Sequence, residues 1–249
     1  MLKAERHTRI IELLATETFM SVTKLSQLID VSDMTIRRDL QELESQKKLI
    51  RLYGGAQKLT IKDSEATTEE KIIRHIKEKE YIGQLMNTLI NDNDVVYLGA
   101  GTTIFYALPA IKKRNLLIVT NSLITFNYLI KTTDYQILLT GGEFLPTTKE
   151  FIGSHAESLF TNLNIDISFA ATNGIYNDNV TTATAHEGEI QRAAFRSSKQ
   201  KVIVADSTKF NTSDTYTFCK ISELDFLITD DQMEENIFCH YSQFGHLIN

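Results

Sequence analysis

The sequence predicts an α/β chain in two parts: a small helical head closed by a β-hairpin, then a larger domain on a mainly parallel sheet. Three observations predict it. Apolar residues in the first 45 positions recur at helical spacing, and two short strand-like runs then flank Gly54-Gly55. From position 95 onward, short apolar runs each end in a cluster of small or hydroxylated residues, and most are followed by a helical stretch. That alternation builds a parallel sheet covered on both faces. A chain of 249 residues, 42% of them apolar, suits one or two globular domains with full cores.

Composition narrows the function classes. The longest uncharged apolar runs, such as Val95-Val-Tyr-Leu-Gly-Ala100, fall far short of the roughly 18 residues a membrane span needs, so no membrane partner is expected. Charges run through residues 1–20 without an apolar signal block. Cys219 and Cys239 lie 20 apart, in no pairing or zinc-ligand spacing, which fits a reducing cytoplasm and predicts no metal. The net charge of −6 hides an asymmetry: residues 1–58 carry a net +2 and residues 59–249 a net −8. A cationic head on an acidic body suits a nucleic-acid contact at one end, although a short window fluctuates this much by chance.

Within the head, residues 4–18 place Ile10, Leu13 and Leu14 on one helical face. Ser21 is a good cap for a second helix to about Ile29 with Val22, Leu25 and Leu28 inward. A short Asp30-Val31 turn follows. Ser32 then caps a third helix over 33–44, with Ile36, Leu40 and Leu43 facing the core. Two short helices joined by a tight turn form a helix-turn-helix, whose second helix enters the major groove. Its outward residues, Thr35, Arg37, Arg38 and Gln41, carry groups that read base edges or grip phosphates. Either arginine can pair with guanine. A solvated face balanced by Asp39 and Glu42 is the plainer account of the same pattern. The run Lys47–Tyr53, the Gly54-Gly55 turn and the run Ala56–Leu59 make a two-stranded wing carrying Lys48, Arg51 and Lys58.

The stretch Val31-Ser-Asp-Met-Thr-Ile-Arg-Arg-Asp-Leu-Gln-Glu-Leu-Glu44, with Leu49-Ile-Arg-Leu-Tyr-Gly-Gly-Ala56 behind it, resembles the DNA-binding domain of the DeoR family of bacterial transcriptional regulators. The resemblance covers about residues 3–58 and implies a winged helix-turn-helix. It implies DNA contacts from Ser32, Thr35, Arg37, Arg38, Gln41, Lys48, Arg51, Gly54 and Gly55. Two positions depart from the family: Gly is usual near Lys47 or Lys48, and His is common where Tyr53 stands.

Residues 59–71 read as a polar linker, and helical spacing resumes over 69–91 through Ile72, Ile76, Ile82, Leu85 and Leu89. The body, 72–249, has strand-like runs at 95–98, 116–119, 135–139, 167–171 and 201–205. They end in Gly99-Ala-Gly-Thr-Thr103, Thr120-Asn-Ser122, Thr140-Gly-Gly-Glu143, Thr172-Asn-Gly174 and Asp206-Ser-Thr-Lys209. Ligands of parallel sheets bind at the carboxyl ends of strands, where all five clusters fall. Five of the 11 glycines lie in them: Gly99, Gly101, Gly141, Gly142 and Gly174. Gly99–Thr103 opening a helix at Ile104 suits a phosphate cradle of backbone N–H groups, with Thr102 and Thr103 as further donors. It matches neither the dinucleotide nor the P-loop fingerprint, so no nucleotide cofactor is expected. An ordinary βα loop accounts for the cluster too, as a solvated lysine accounts for Lys209.

The order Gly101-Thr-Thr103, Val119-Thr-Asn-Ser122, Leu139-Thr-Gly-Gly142, Asp166 with Gly174-Ile175, Ala205-Asp-Ser-Thr-Lys-Phe210 and Leu227-Ile-Thr-Asp230 resembles the DeoR-family effector domain over about residues 72–231. That domain is similar in fold to ribose-5-phosphate isomerase and senses phosphorylated sugars or related metabolites. The resemblance implies effector contacts from the glycines and threonines above, from Thr120, Asn121, Ser122, Glu143, Asn173 and Glu187, and from Asp206 and Lys209. Gly99 stands where many members have Asp, and Gln191 where they commonly have Lys. Gly99–Thr103, Ala171–Ile175 and Asp214-Thr-Tyr-Thr-Phe218 look most like the lactose phosphotransferase system branch of the family, which implies tagatose 6-phosphate as effector. A homo-oligomer on double-stranded operator DNA is the expected partner arrangement.

The opposing expectation is a phosphosugar isomerase with an accessory head. Isomerisation needs a base beside the sugar. Glu143, His186, Glu187 and Asp206 are the candidates, but the isomerases' Asp-Gly-Ala-Asp and Lys-Gly-Gly-Gly runs are absent. No catalytic residue is therefore assigned.

Overall fold

In the computed structural model the described residues are 3–16, 19–45, 48–52, 54–58 and 67–249. Lys47, Tyr53, the side chain of Lys58 and residues 59–66 of the expected linker lie outside them. The chain forms two compact units, Met1–Glu65 and Ala66–Asn249.

The first unit holds three helices, Lys3–Thr16, Val22–Ile29 and Asp33–Ser45. Ser21 caps the second, accepting from Lys24 N at 3.2 Å, and Asp30 ends it in the left-handed region at φ 58°. Ser32 Oγ accepts from Thr35 N at 3.3 Å, so the third helix starts where its cap predicts. Ile10, Leu14, Leu25, Ile36, Leu40 and Leu43 close one core. Two expectations need correction. Leu28 is 52% exposed and Ile29 takes its place inside, because positions 22, 25 and 29 share one helical face while 28 is turned off it. The wing has three strands rather than two: Gly55–Lys58 runs antiparallel between Leu49–Leu52 and Phe19–Ser21. Three residues show too little alternation for Phe19–Ser21 to be read as a strand.

Asp39 holds this unit together. It is 3% exposed and accepts from Arg6 Nε at 2.6 Å and Arg6 Nη2 at 3.0 Å, with His7 Nε2 at 3.2 Å from it. Burial pushes its pKa up, but the Arg6 guanidinium and His7 more than offset that and hold it low. Removing one partner of such a pair strands a buried charge, at a cost of about 3 kcal/mol or more. Asp39→Ala is expected to unfold the first unit selectively. Differential scanning calorimetry should show its transition lowered and that of the second unit unmoved.

The second unit begins inside the expected linker. Thr67 and Glu70 form a capping box on the helix Thr68–Ile72, and Thr68 N donates to Thr147 O at 3.0 Å. The single helix expected over 69–91 is two, Thr68–Ile72 and Ile76–Leu89. They part at His75, whose φ of 52° breaks the run without a Gly or Pro to announce it.

Seven strands form the main sheet: β1 Val95–Leu98, β2 Leu117–Thr120, β3 Gln136–Leu139, β4 Ile165–Ala171, β5 Ser198–Val204, β6 Phe226–Ile228 and β7 Leu247–Ile248. All pair in parallel, in the order β3-β2-β1-β4-β5-β6-β7. Sequence periodicity marked the first five; β7, two residues long, carries no period. One core cluster joins Val96, Leu98, Phe169 and Val204 to Ile82 and Met86 of the helix Ile76–Leu89. Another joins Tyr97, Val119 and Ile165 to Ile190 and Ala194 of the helix Ala185–Arg196. Smaller pieces flank the sheet: a hairpin (Glu143–Leu145 with Glu150–Ile152) and an antiparallel sheet (Gly174–Tyr176, Asn179–Thr182, Tyr216–Lys220). No described helix is long and apolar enough to cross a membrane.

The strand order reverses direction between β1 and β4. From β1 the chain proceeds outward through β2 and β3, and from β4 it proceeds the other way through β5, β6 and β7. Loops after β1 and β4 therefore diverge and leave a crevice at the carboxyl ends of these neighbouring strands.

Candidate functional site

Gly99–Thr103 follows β1 and Thr172–Gly174 follows β4, so the reversal of strand order brings these two predicted clusters together. Gly101 has φ 143°, and a Cβ there would stand 2.6 Å from Ala171 Cβ; only glycine fits. Thr102 and Thr103 are buried behind it. The helix they open, Thr102–Ala107, has only six residues. Its dipole is too short for the half charge a full helix end offers, so positive charge for an anion must come from side chains.

It does. Asp206 and Lys209 follow β5, beside β4, and three further cations gather there. Lys79, on the helix Ile76–Leu89, is 3% exposed, donates to Lys71 O at 2.8 Å and lies 5.8 Å from the Tyr106 ring centroid. Burial lowers its pKa to about 8, and of the neighbouring charges Asp206 pulls it up most while Lys209 pushes it down. The Lys209 ammonium is also lowered, first by burial, against the pull of Asp206, with Lys71 and Arg74 adding to the lowering. Lys71 Nζ donates to Asn173 Oδ1 at 3.0 Å, and Asn173 Nδ2 to Asp214 Oδ2 at 2.9 Å. Asp206 accepts from Thr208 Oγ1. Lys71, Arg74, Lys79 and Lys209 thus share one region with the buried Asp206, with Asp214 and Glu78 as further counter-charges, and burial disfavours the charged forms of Lys79 and Lys209. Sequence reasoning found Asp206, Lys209 and Asn173 and missed Lys71, Arg74 and Lys79, the first of which it placed in the linker.

Other predicted contacts make hydrogen bonds within the body. Asn121 is fully buried: its Oδ1 accepts from Tyr97 Oη at 3.0 Å and Ala100 N at 2.9 Å, and its Nδ2 donates to Glu150 Oε2 at 2.9 Å. Thr120 Oγ1 donates to Leu98 O at 2.6 Å, and Ser122 caps the helix Leu123–Thr132. These residues brace the Gly99–Gly101 turn from behind. Glu187 is buried in the capping box of the helix Ala185–Arg196, accepting from Thr184 N and Thr182 Oγ1, both at 3.0 Å. Gly174 is pinned under Thr212, where a Cβ would meet Thr212 O at 2.7 Å. Gly141 (φ 63°) and Gly142 (φ 109°) turn the chain into the hairpin, and Glu143 is exposed at its start.

The head presents a separate surface. Arg37, Arg38 and Gln41 are exposed on the helix Asp33–Ser45. Asp39 is turned inward onto Arg6, and Glu42 pairs with Lys3 Nζ at 2.7 Å, so neither neutralises the arginines. Among the described residues Arg37 and Arg38 make no ion pair, so no carboxylate of this helix balances them. Ser32 and Thr35 hydroxyls bond each other at 3.0 Å at its start. Lys48 is exposed, and Arg51 Nη1 stands 3.6 Å from Glu44, an exposed pair of little strength. Gly54 is exposed at φ 83°, and its carbonyl accepts from Val22 N at 2.8 Å. Gly55 is buried and already paired with Leu52, so it belongs to the strand rather than to the turn, and its burial takes it away from DNA.

Comparison with known proteins matches both halves. Residues 6–62 match the DeoR-like helix-turn-helix domain, and residues 74–231 match the DeoR C terminal sensor domain. The chain is 33% identical over 252 residues to the lactose phosphotransferase system repressor of Streptococcus mutans, covering 100% of each. It is 32% identical over 240 residues to the repressor of that name from Staphylococcus aureus, covering 95% of this chain and 96% of the other. Among solved structures, ribose 5-phosphate isomerase from Plasmodium falciparum aligns at a TM-score of 0.40 and 20% identity, covering 55% of this chain and 54% of that one. The winged head with its exposed arginines and the sensor domain with its cationic crevice are the two parts of one architecture: the chain belongs to the DeoR family of DNA-binding transcriptional regulators.

Proposed function

We propose that this protein represses a sugar-catabolic operon of the lactose and galactose type and is released from its operator by a phosphorylated sugar, tagatose 6-phosphate. The observation that carries the sensor half is Lys79, a lysine buried beside Asp206 and Lys209 at the strand-order reversal. A dianionic phosphate supplies the charge this cluster lacks, and a sugar supplies hydroxyls for the Asp206 and Asn173 side chains. Names of the relatives support the operon class.

The mechanism couples two binding equilibria. A homo-oligomer, in the pattern of helix-turn-helix proteins, sets two recognition helices on two half-sites. Lysines and arginines release counterions, and a few side chains read bases. The phosphosugar binds the arrangement that holds DNA weakly and shifts the population toward it. Binding without turnover is favoured over isomerisation by the engagement of Glu187 in a helix cap and by the exposure of Glu143 and His186.

A thermal-shift screen of hexose and pentose phosphates tests the reading, and tagatose 6-phosphate is expected to raise the melting temperature most. Its pH dependence is a second check. An anion favours protonated Lys79, so binding takes up a proton, and affinity falls as pH rises through about 8, the free-state value. Phosphate, with a second pKa of about 6, is fully ionised by then and adds no opposing change. Calorimetry should show affinity about tenfold weaker at pH 9 than at pH 7, since one unit above a pKa only about a tenth of the group stays charged. Affinity flat across this range would remove Lys79 from the site.

A further inference from the structure

We infer that Gln191 reads the sugar of the bound phosphosugar, and that Gly99 is side-chain-free to let its carboxamide reach the crevice. This rests on the reading of the crevice as a phosphosugar pocket. Gln191 lies on the helix Ala185–Arg196, beside Ile190 and one turn after the Glu187 cap, and is 5% exposed. A buried carboxamide has two donors and one acceptor oxygen to satisfy. The oxygen is used: Oε1 accepts from Tyr97 Oη at 3.3 Å. Among the described residues Nε2 donates to nothing.

Its direction is set by the turn after β1. A Cβ at position 99 would stand 2.9 Å from Gln191 Oε1 and 3.3 Å from Nε2, so the carboxamide occupies the space a side chain there would fill. Gly99 belongs to the turn that follows β1, and the amide lies against that turn. Tyr97 fixes which end of the amide faces where. Burial raises the Tyr97 pKa well above its ordinary value, so its hydroxyl keeps its hydrogen and shares it between the Gln191 and Asn121 oxygens. Nitrogen is left as the donor for a ligand. The division of labour follows from charge: the cations at Lys79 and Lys209 take the phosphate, and a neutral N–H selects a neutral oxygen, a hydroxyl or carbonyl of the sugar.

Polar sites discriminate because the wrong ligand leaves a buried donor unpaired. The test is isothermal titration of the full-length protein with inorganic phosphate, tagatose 6-phosphate, fructose 6-phosphate and galactose 6-phosphate. Gln191→Met keeps the side chain's length and loses the donor; Gly99→Ala keeps the donor and pushes it aside. Wild type is expected to spread the three hexose phosphates over at least about tenfold, and both variants to compress that spread to about threefold. Gln191→Met should bind inorganic phosphate as wild type does. Variants that keep the wild-type ranking and spread overturn the assignment, and so does a Gln191→Met protein that loses inorganic phosphate in the same proportion, which would make Gln191 part of the scaffold. Wild type that binds none of the hexose phosphates overturns the pocket reading itself. That last result differs from the first two, so the two failures are distinguishable.

Discussion

Lys79→Met is expected to yield a repressor that holds its operator normally and no longer answers to its sugar. The lysine lies within the body's core stripe, on a helix that otherwise buries Ile82, Gly83 and Met86. Its ammonium is 3% exposed, with a carbonyl at 2.8 Å and an aromatic ring at 5.8 Å for company. A charge in such a place destabilises the empty protein, and burial accordingly pulls its pKa down to about 8. Met has the same reach without the charge. The variant without ligand should melt no lower than wild type, because the lost carbonyl bond is offset by relief from burying a cation. The cost falls on binding: a charge-assisted contact to phosphate is worth about 2–3 kcal/mol, or roughly 100-fold in effector affinity. Gel retardation with increasing tagatose 6-phosphate, alongside melting curves, measures both halves. Release at wild-type concentrations would take Lys79 out of the pocket, and a large fall in melting temperature would make it a structural residue.

That lysine also shows where sequence reading stops. The elements were legible wherever a period was long enough. Helix caps at Ser21 and Ser32 and five of the seven sheet strands follow from spacing and turn chemistry alone. The crevice was legible as a set of strand-end clusters, since strand order then decides which clusters meet. Thr120, Asn121 and Ser122 have the composition of a ligand loop, and their side chains bond Leu98, Tyr97, Ala100, Glu150 and Thr125. Composition cannot separate a hydroxyl that meets a ligand from one that braces the turn behind it. Glu187 has the same ambiguity, resolved by the capping box that Thr184 three residues earlier announces. Lys79 was within reach: 79, 82, 83 and 86 share one helical face, and a lysine on a buried stripe is anomalous. Lys71 was not, because its helix is five residues long and sits in a stretch too polar to show a period. His75 breaks the neighbouring helix with an ordinary side chain at φ 52°, so no Gly or Pro marks the bend in the sequence.

Arg37→Ala combined with Arg38→Ala is expected to abolish specific operator binding while leaving stabilisation by the effector intact. Both guanidiniums are exposed on the recognition helix, and the acids that would have neutralised them are occupied elsewhere, Asp39 with Arg6 and Glu42 with Lys3. Exposure means that folding does not depend on them, so the double variant should melt as wild type does. Each arginine contributes to binding in one of two ways that experiment separates. A phosphate contact weakens all sequences alike and lowers the salt slope by about one when removed. A guanine contact instead costs about 1–3 kcal/mol at the operator and relaxes the preference at a single base pair. Losing both places the specific affinity roughly 100-fold or more below wild type, near the non-specific level. Retardation assays over a range of salt, with the operator and with scrambled DNA, determine the slope and the specificity ratio for each single variant and for the pair. An unchanged ratio in all three would mean that the helix Asp33–Ser45 is not the reading element. A ratio that collapses in one single variant and holds in the other assigns the base contact to that arginine and the backbone contact to its neighbour.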